Sequence, residues 1–110
     1  MKKGVLDMLV LKLLSEDEKY GYQIISELSN RSRERFLLKE GTLYPILYRL
    51  EEDGLVESRW SGAEGRKVPR KYYHITGEGR RVLAETEALW REICRSVDLI
   101  MEEEHDGKEI

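Results

Sequence analysis

The segment GTLYPILYRLEEDG, residues 41–54, predicts the central helix of the fold. Its apolar residues recur at steps of three and four, which is typical of one buried face of an amphipathic helix. We expect Thr42 to cap its start, Pro45 to lie in its first turn and Gly54 to end it, because each residue suits the backbone at that place. The predicted inner stripe is Leu43, Ile46, Leu47 and Leu50.

The outward residues of this helix are polar, aromatic and basic, which is typical of a helix that contacts DNA. Arginine has the fork geometry that matches guanine. A surface helix with a few exposed tyrosines is the more ordinary interpretation, so the neighbouring segments have to decide. The predicted outward residues are Thr42, Tyr44, Pro45, Tyr48 and Arg49.

Length and composition predict one small domain that needs a partner chain. The 110 residues suit a single domain, and 40% hydrophobic with 37% charged residues describe a lean core. The net charge of −3 argues against a general polyanion binder, yet it is unevenly distributed. Residues 1–81 have a balance of +3 and residues 82–110 a balance of −6, so the acidic charge belongs to the C-terminal segment.

Several classes of function are not expected. One cysteine, Cys94, and two histidines offer no disulfide and no metal-ligand spacing. There is no nucleophile–base set and no glycine-rich phosphate loop, so we expect no enzyme activity and no cofactor. Because neither a leader nor an apolar run of about 20 residues is found, we expect a cytoplasmic protein without a membrane span.

The segments before the central helix predict two further helices. Residues 4–14 are apolar nearly all round, and residues 15–19 read as a charged turn. Gly21 opens a second helix with Ile24, Ile25 and Leu28 inside. Tyr20 and Tyr22 flank its start, where backbone N–H groups favour a phosphate, although they could equally be packed tyrosines. Two helices joined by a connector give helix-turn-helix order.

After Gly54 the apolar period changes from 3.6 to 2, which predicts a β-hairpin. Residues 55–60 place Val56 on the side of Ser58 and Trp60, and residues 70–75 place Tyr73 on the side of Ile75. The connecting loop is basic, and such a loop would touch the DNA backbone unless it is simply a solvated face. From Arg59 to Lys71, across the loop and the adjoining strand ends, the positive residues are Arg59, Arg66, Lys67, Arg70 and Lys71, against Glu64 alone.

The last predicted helix is capped by Thr76 and runs from Gly77 to about Glu104, on the order of 40 Å. Its apolar positions step by four and three, close to a coiled-coil seam, and one small chain cannot cover its distal half. We therefore expect a two-fold dimer through this helix, with help from residues 4–14. The predicted interface is Leu6, Leu9, Leu13, Leu89, Trp90, Ile93, Val97 and Ile100.

The motifs GTLYPxLxRLExxGL and RKYYxxT together resemble the PadR family of bacterial transcriptional regulators, specifically its short members. One departure is Val68, which separates the basic pair of the loop from Pro69. The resemblance implies a mainly α fold with a small β-hairpin: a winged helix-turn-helix over residues 1–76 and one long C-terminal dimerisation helix with an acidic tail over residues 77–110.

The resemblance also implies a homodimeric repressor of an inverted-repeat operator in double-stranded DNA, released by a small apolar or aromatic effector. Trp90 is the candidate stacking surface for that effector, unless it is simply a packed residue of the dimer seam. Its DNA-binding candidates are Tyr22, Lys39, Thr42, Tyr44, Tyr48, Arg49, Arg66, Lys67, Arg70 and Lys71. The alternative is a winged-helix adaptor that binds other proteins and no DNA. The acidic net charge favours that alternative, whereas the basic hairpin opposes it.

Overall fold

The computed structural model describes residues 4–62 and 68–102 and is mainly helical with a small antiparallel sheet. This confirms the predicted fold class. The three strands lie side by side in the order β1-β3-β2. In chain order the elements are α1 Val5–Glu16, β1 Lys19–Tyr20, α2 Gly21–Arg31, α3 Glu40–Glu52, β2 Val56–Ser61, β3 Arg70–Ile75 and α4 Gly77–Met101.

Strand β1 was not predicted, and the expectation of a charged turn over residues 15–19 is wrong at its end. Lys19 lies opposite Tyr73 and Tyr20 opposite Tyr72, so a third strand extends the hairpin. The aliphatic stem of Lys19 is buried, and its ammonium pairs with Asp17 at 2.8 Å and Glu27 at 3.4 Å. These two ion pairs allow a lysine to stand where an apolar residue would be expected.

One apolar core lies between the sheet and helices α1, α2 and α3, and the first turns of α4 close it. The inner stripe of α3 is buried as predicted, and so are Val56, Tyr73 and Ile75 on the inner face of the hairpin. The core is completed by Val10, Leu11, Leu13, Leu14, Ile24, Leu28, Leu55 and Leu83.

The two ends of α3 differ in how well they were predicted. Backbone N–H groups of Thr42 and Leu43 both donate to the Lys39 carbonyl at 2.9 Å, so the helix begins at Glu40 and Lys39 occupies the cap position. Thr42 is therefore no cap, and Pro45 lies in the second turn rather than the first. At the other end Gly54 has φ of 76°, and the Leu55 N–H donates to the Leu50 carbonyl at 2.9 Å, a Schellman ending as predicted.

Helix α4 is buried where it begins and exposed where it ends. Thr76 Oγ1 accepts a bond from the Gly79 N–H at 3.0 Å, which confirms the predicted cap. Leu83 and Thr86 are buried against the rest of the chain, whereas Ile93, Val97 and Ile100 are exposed. Within residues 4–62 and 68–102, no helix has the length and apolar character that crossing a bilayer requires.

One predicted interface residue is wrong. Leu13 is only 4% exposed, because it points into the core of its own chain, and it has almost no surface to offer a partner. Leu6 and Leu9 on the same helix are half-buried and pack on the edge of that core.

Candidate nucleic-acid interface

The outward side of α3 has a centre and two flanks. At 3.6 residues per turn, Gly41, Pro45 and Tyr48 fall opposite the buried stripe, and all three are exposed. Tyr44 lies on the flank that faces α2 and the hairpin, whereas Thr42 and Arg49 lie on the flank that faces α1. The predicted DNA-contacting residues of this helix therefore spread over its whole outward side, with Tyr48 at the centre and the others on the two flanks.

Where α2 begins, α3 and the hairpin meet around an open pocket of about 360 Å³. We call it the aromatic–basic pocket, because its walls are tyrosine and tryptophan rings with two cationic side chains. Four of the predicted residues, Tyr44, Tyr48, Arg70 and Lys71, come together here. The complete lining is Tyr20, Gly21, Tyr44, Tyr48, Trp60, Pro69, Arg70, Lys71 and Tyr73.

Lys71 is held in this pocket by rings rather than by acids. Its Nζ lies 5.8 Å from the centroid of the Tyr48 ring, 6.0 Å from that of Trp60 and 5.6 Å from that of Tyr73. No carboxylate in the described part of the chain lies within ion-pair distance of it. Ring faces stabilise a cation without neutralising it. The Lys71 charge therefore stays available to an anion.

Tyr44 is less exposed than predicted, and Gly21 is the reason. The Tyr44 ring lies so close to Gly21 that a Cβ at position 21 would overlap the Tyr44 hydroxyl. Burial, with smaller contributions from Glu40 and Tyr48, raises the pKa of Tyr44. The phenol is thus a neutral hydrogen-bonding group at neutral pH. It lies beside the first turn of α2, where backbone N–H groups lack helical partners.

A ladder of stacked groups runs along the other face of the hairpin. The Arg70 guanidinium lies 4.4 Å from the Tyr20 ring centroid, and the Tyr20 and Tyr72 rings meet edge to face at 5.4 Å. Arg59 stacks on Tyr72 and is ion-paired with Glu18. Stacking fixes the plane of the Arg70 guanidinium, whose N–H groups have no acceptor among the described residues, whereas the charge of Arg59 is neutralised by Glu18.

The remaining predicted residues lie apart from this pocket. Tyr22 is exposed on the second residue of α2, and Lys39 is exposed at the start of α3. Arg49 donates from Nη2 to both carboxylate oxygens of Asp7 in α1, each at 3.3 Å. Arg66 and Lys67 lie outside the described residues.

The predicted effector residue lines a separate groove between α1 and α4, with a volume of about 800 Å³. Trp90 forms its wall with Met8, Leu9 and Leu83. The indole Nε1 of Trp90 is buried, and no acceptor in residues 4–62 or 68–102 reaches it. The neighbouring thiol of Cys94 is exposed.

Sequence reasoning missed four residues of this region: Asp7, Gly21, Trp60 and Tyr73. Asp7 carried a signal, since it is the one charge among apolar residues from 4 to 11. Trp60 and Tyr73 were assigned to strand faces, yet their shared contact with Lys71 depends on how the sheet packs on α3. Gly21 was read as a helix start only, because its contact with Tyr44 joins positions far apart in the sequence.

Known proteins share this architecture. The model of the transcriptional regulator PadR-like family matches residues 10–85. A transcriptional regulator of Mycobacterium tuberculosis is 33% identical over 96 residues, which cover 87% of this chain and 85% of that protein. The crystal structure of a PadR family transcriptional regulator from Eggerthella lenta superposes with a TM-score of 0.79 and 42% identity, covering 92% of this chain and 85% of that one.

A further match holds nucleic acid. The crystal structure of Bacillus subtilis PadR in complex with operator DNA superposes with a TM-score of 0.66 and 30% identity, covering 74% of this chain and 45% of that chain. The residues matched by the family model include α3, β2 and β3, so the similarity extends over the aromatic–basic pocket.

Proposed function

This chain belongs to the PadR-like family of transcriptional regulators, and from that premise we propose that it is a homodimeric repressor which binds an inverted-repeat operator in double-stranded DNA. Family membership places it among regulators of transcription rather than among enzymes. The B. subtilis relative bound to operator DNA bears the name negative transcriptional regulator, which favours repression over activation.

The observation that carries this proposal is the aromatic–basic pocket. It combines a cation without a carboxylate partner among the described residues and a neutral tyrosine hydroxyl. Those groups suit a phosphodiester, since lysine and tyrosine side chains supply phosphate contacts in protein–DNA complexes. The exposed rings of Tyr48 and Trp60 beside it suit the apolar face of a deoxyribose.

The proposed contacts divide into two kinds. Tyr48 at the centre of the outward face of α3 is placed to reach base edges, together with Thr42 at the start of the helix. Phosphate contacts set affinity and register. We assign those contacts to Tyr22, Lys39, Tyr44, Arg66, Lys67, Arg70 and Lys71.

The dimer is proposed from the exposed apolar stripe of α4. Leu89, Ile93, Val97 and Ile100 recur at coiled-coil spacing and have no cover among the described residues of the chain. A two-fold pair through this stripe, with Leu6, Leu9 and Trp90 beside it, would present two α3 helices to the DNA. Successive major-groove half-sites lie about 34–36 Å apart, so the operator should contain two half-sites at that spacing or a multiple.

Release by an effector is proposed from the α1–α4 groove. Its apolar walls and its buried indole N–H without an acceptor suit a flat apolar or aromatic compound that carries one hydrogen-bond acceptor. The groove lies beside the proposed seam, so an occupant would alter the angle between the two chains.

Selection from a random pool tests the DNA-binding proposal. Wild-type protein would be incubated with random 40-base-pair duplexes, and the bound molecules would be sequenced through several rounds. We expect an inverted repeat with half-sites about one helical turn apart, or a multiple. Recovery of no enriched sequence at moderate salt would contradict the proposal and favour the adaptor alternative.

A further inference from the structure

Asp7 is a carboxylate inside an apolar helix. It is only 6% exposed, and its neighbours along α1 include the core residues Val10 and Leu11. A buried carboxylate is costly unless a cation accompanies it. That cation is Arg49 of α3, with Nη2 at 3.3 Å from both oxygens of Asp7, across 42 positions of sequence.

Arg49 contacts Asp7 at one end of its guanidinium and is otherwise largely exposed to solvent. Its side chain is 55% exposed, whereas that of Asp7 is 9% exposed. Only one of its nitrogens contacts Asp7, so the remaining N–H groups point elsewhere. The contact with Asp7 holds Arg49 on the flank of α3 that faces α1, away from the centre of the outward face of the helix.

The ion pair is also a link between two elements that otherwise approach each other little. Helix α1 packs chiefly against α4, the sheet and α2, and its direct contact with α3 is slight. Beside the pair lies an open groove lined by Leu6 of α1 and by Gly41 and Pro45 of α3. Apolar contact between α1 and this flank of α3 is therefore slight, and the ion pair is a direct link between the two helices.

We propose that Asp7 is a positioning residue for DNA recognition: it holds Arg49 and thereby fixes the tilt of α3, and Arg49 acts through that carboxylate instead of reading a base. The proposal rests on the proposed function, and it removes Arg49 from the DNA contacts that the sequence predicted. It assigns sequence discrimination to a residue of α1 that touches no DNA.

A double-mutant cycle on the full-length dimer tests it. The variants are Asp7→Asn, Arg49→Gln and the pair combined. Affinity would be measured for the duplex enriched from the random pool and for a scrambled duplex of the same length, over a range of salt. Glu57→Gln and Arg80→Gln serve as controls, since each removes one exposed charge outside the α1–α3 contact. Thermal unfolding of every variant fixes a temperature at which all are folded.

If Asp7 positions α3, Asp7→Asn weakens binding to the enriched duplex by about tenfold and leaves the scrambled duplex and the salt slope unchanged. The double variant then loses no more than Arg49→Gln alone, because both changes break one link. Direct contact of Arg49 with a base would instead make Arg49→Gln lose clearly more affinity than Asp7→Asn, because the guanidinium would add an interaction that Asp7 does not make, and direct contact with a phosphate would also make the salt slope of Arg49→Gln shallower.

A purely structural pair would lower the melting temperature and leave both affinities unchanged below it, which would also overturn the proposal. Wild-type protein that enriches no duplex would overturn the proposed function itself, and the positioning role would fall with it. Enrichment by wild type followed by an unaltered affinity in Asp7→Asn would overturn the positioning role alone.

Discussion

Helix α3 and the distal half of α4 each carry an apolar stripe at helical spacing, but only the stripe of α3 is buried by its own chain. The stripe of α3, from Leu43 to Leu50, is at most 5% exposed. In α4 the residues Leu89, Ile93, Val97 and Ile100 recur at steps of four, four and three, yet they are 38–80% exposed. Apolar periodicity thus predicts that one face of a helix is buried. Only the fold shows whether that face is buried by the same chain.

The chemistry of each uncovered face indicates what covers it. The outward side of α3 presents tyrosine rings, and Lys71 lies beside them. Among the described residues Lys71 contacts rings and no carboxylate, so this side suits a polyanion. The uncovered face of α4 is aliphatic, and its charged residues lie to the sides as i,i+4 pairs such as Arg91 with Glu87. Such a face suits a second copy of itself.

The largest expected effect comes from the covered stripe. Leu47 is fully buried, so Leu47→Ala should cost about 2–5 kcal/mol in the free energy of unfolding, through lost contacts and a cavity. Urea unfolding of both proteins at equal concentration measures it. The matched control is Leu37→Ala, where the leucine is 68% exposed and the change should stay within about 0.5 kcal/mol. Equal losses in the two variants would mean that α3 is turned differently.

Substitutions in the exposed stripe of α4 should alter dimerisation rather than the stability of the folded chain. Val97→Glu places a charge in the proposed seam, so the protein should become monomeric in sedimentation experiments at micromolar concentration. DNA affinity should then fall by about a hundredfold, because the two half-sites no longer bind together. Ala84→Glu introduces the same charge on the outer side of α4 and should leave the dimer intact. A dimer that survives Val97→Glu would remove this stripe from the interface.

The contrast also explains which features the sequence could predict. The stripe of α3, the ending at Gly54 and the inward Tyr73 follow from local periodicity and from glycine's tolerance of positive φ. Strand β1 has two residues, too few for a period. The start of α3 was missed because no side chain caps it.

Contacts between distant segments were beyond the same reasoning. Nothing near Arg49 indicates that its partner is Asp7, and Tyr44 looks exposed until Gly21 is brought beneath its ring. The burial of Leu13 shows the same limit, since α1 is apolar on several sides and the sequence does not tell which side faces its own core.

Salt concentration should affect DNA binding by the outward side of α3 and leave dimerisation through α4 unchanged. Lys71→Gln removes a proposed phosphate contact, so DNA affinity should fall by about tenfold and the slope of log affinity against log salt should become shallower by about 0.9. The proposed dimer is held by aliphatic groups, so its dissociation constant should be the same at about 0.5 M salt as at low salt. Arg80→Gln removes a charge far from the pocket and should keep the wild-type slope. An unchanged slope in Lys71→Gln would exclude that lysine from the interface.

The smallest effect should come from two buried polar atoms that lack a partner among the described residues, the Tyr73 hydroxyl and the Trp90 indole nitrogen. The Tyr73 hydroxyl lies beneath α3, and no group in the described chain bonds it. Removing a buried hydroxyl that lacks a partner is nearly neutral or stabilising, so Tyr73→Phe should raise the stability at pH 7 by at most about 1 kcal/mol. Trp90 Nε1 beneath α4 differs, because it borders an open groove where a second chain or an effector could supply the acceptor.

The pH dependence of stability tests the burial of the Tyr73 hydroxyl. Burial, with smaller contributions from Tyr48, Glu51 and Tyr44, raises the pKa of Tyr73 to about 12. In the unfolded chain a tyrosine ionises near pH 10. The unfolded state therefore releases this proton first, and stability should be constant below about pH 10 and decline as the pH rises towards 12. Tyr73→Phe should remove one proton's worth of that decline, measured by urea unfolding of the variant and the wild type over this pH range. An unchanged decline in Tyr73→Phe would mean that the Tyr73 hydroxyl ionises as readily in the folded chain as in the unfolded one, so that water reaches it between α3 and the sheet.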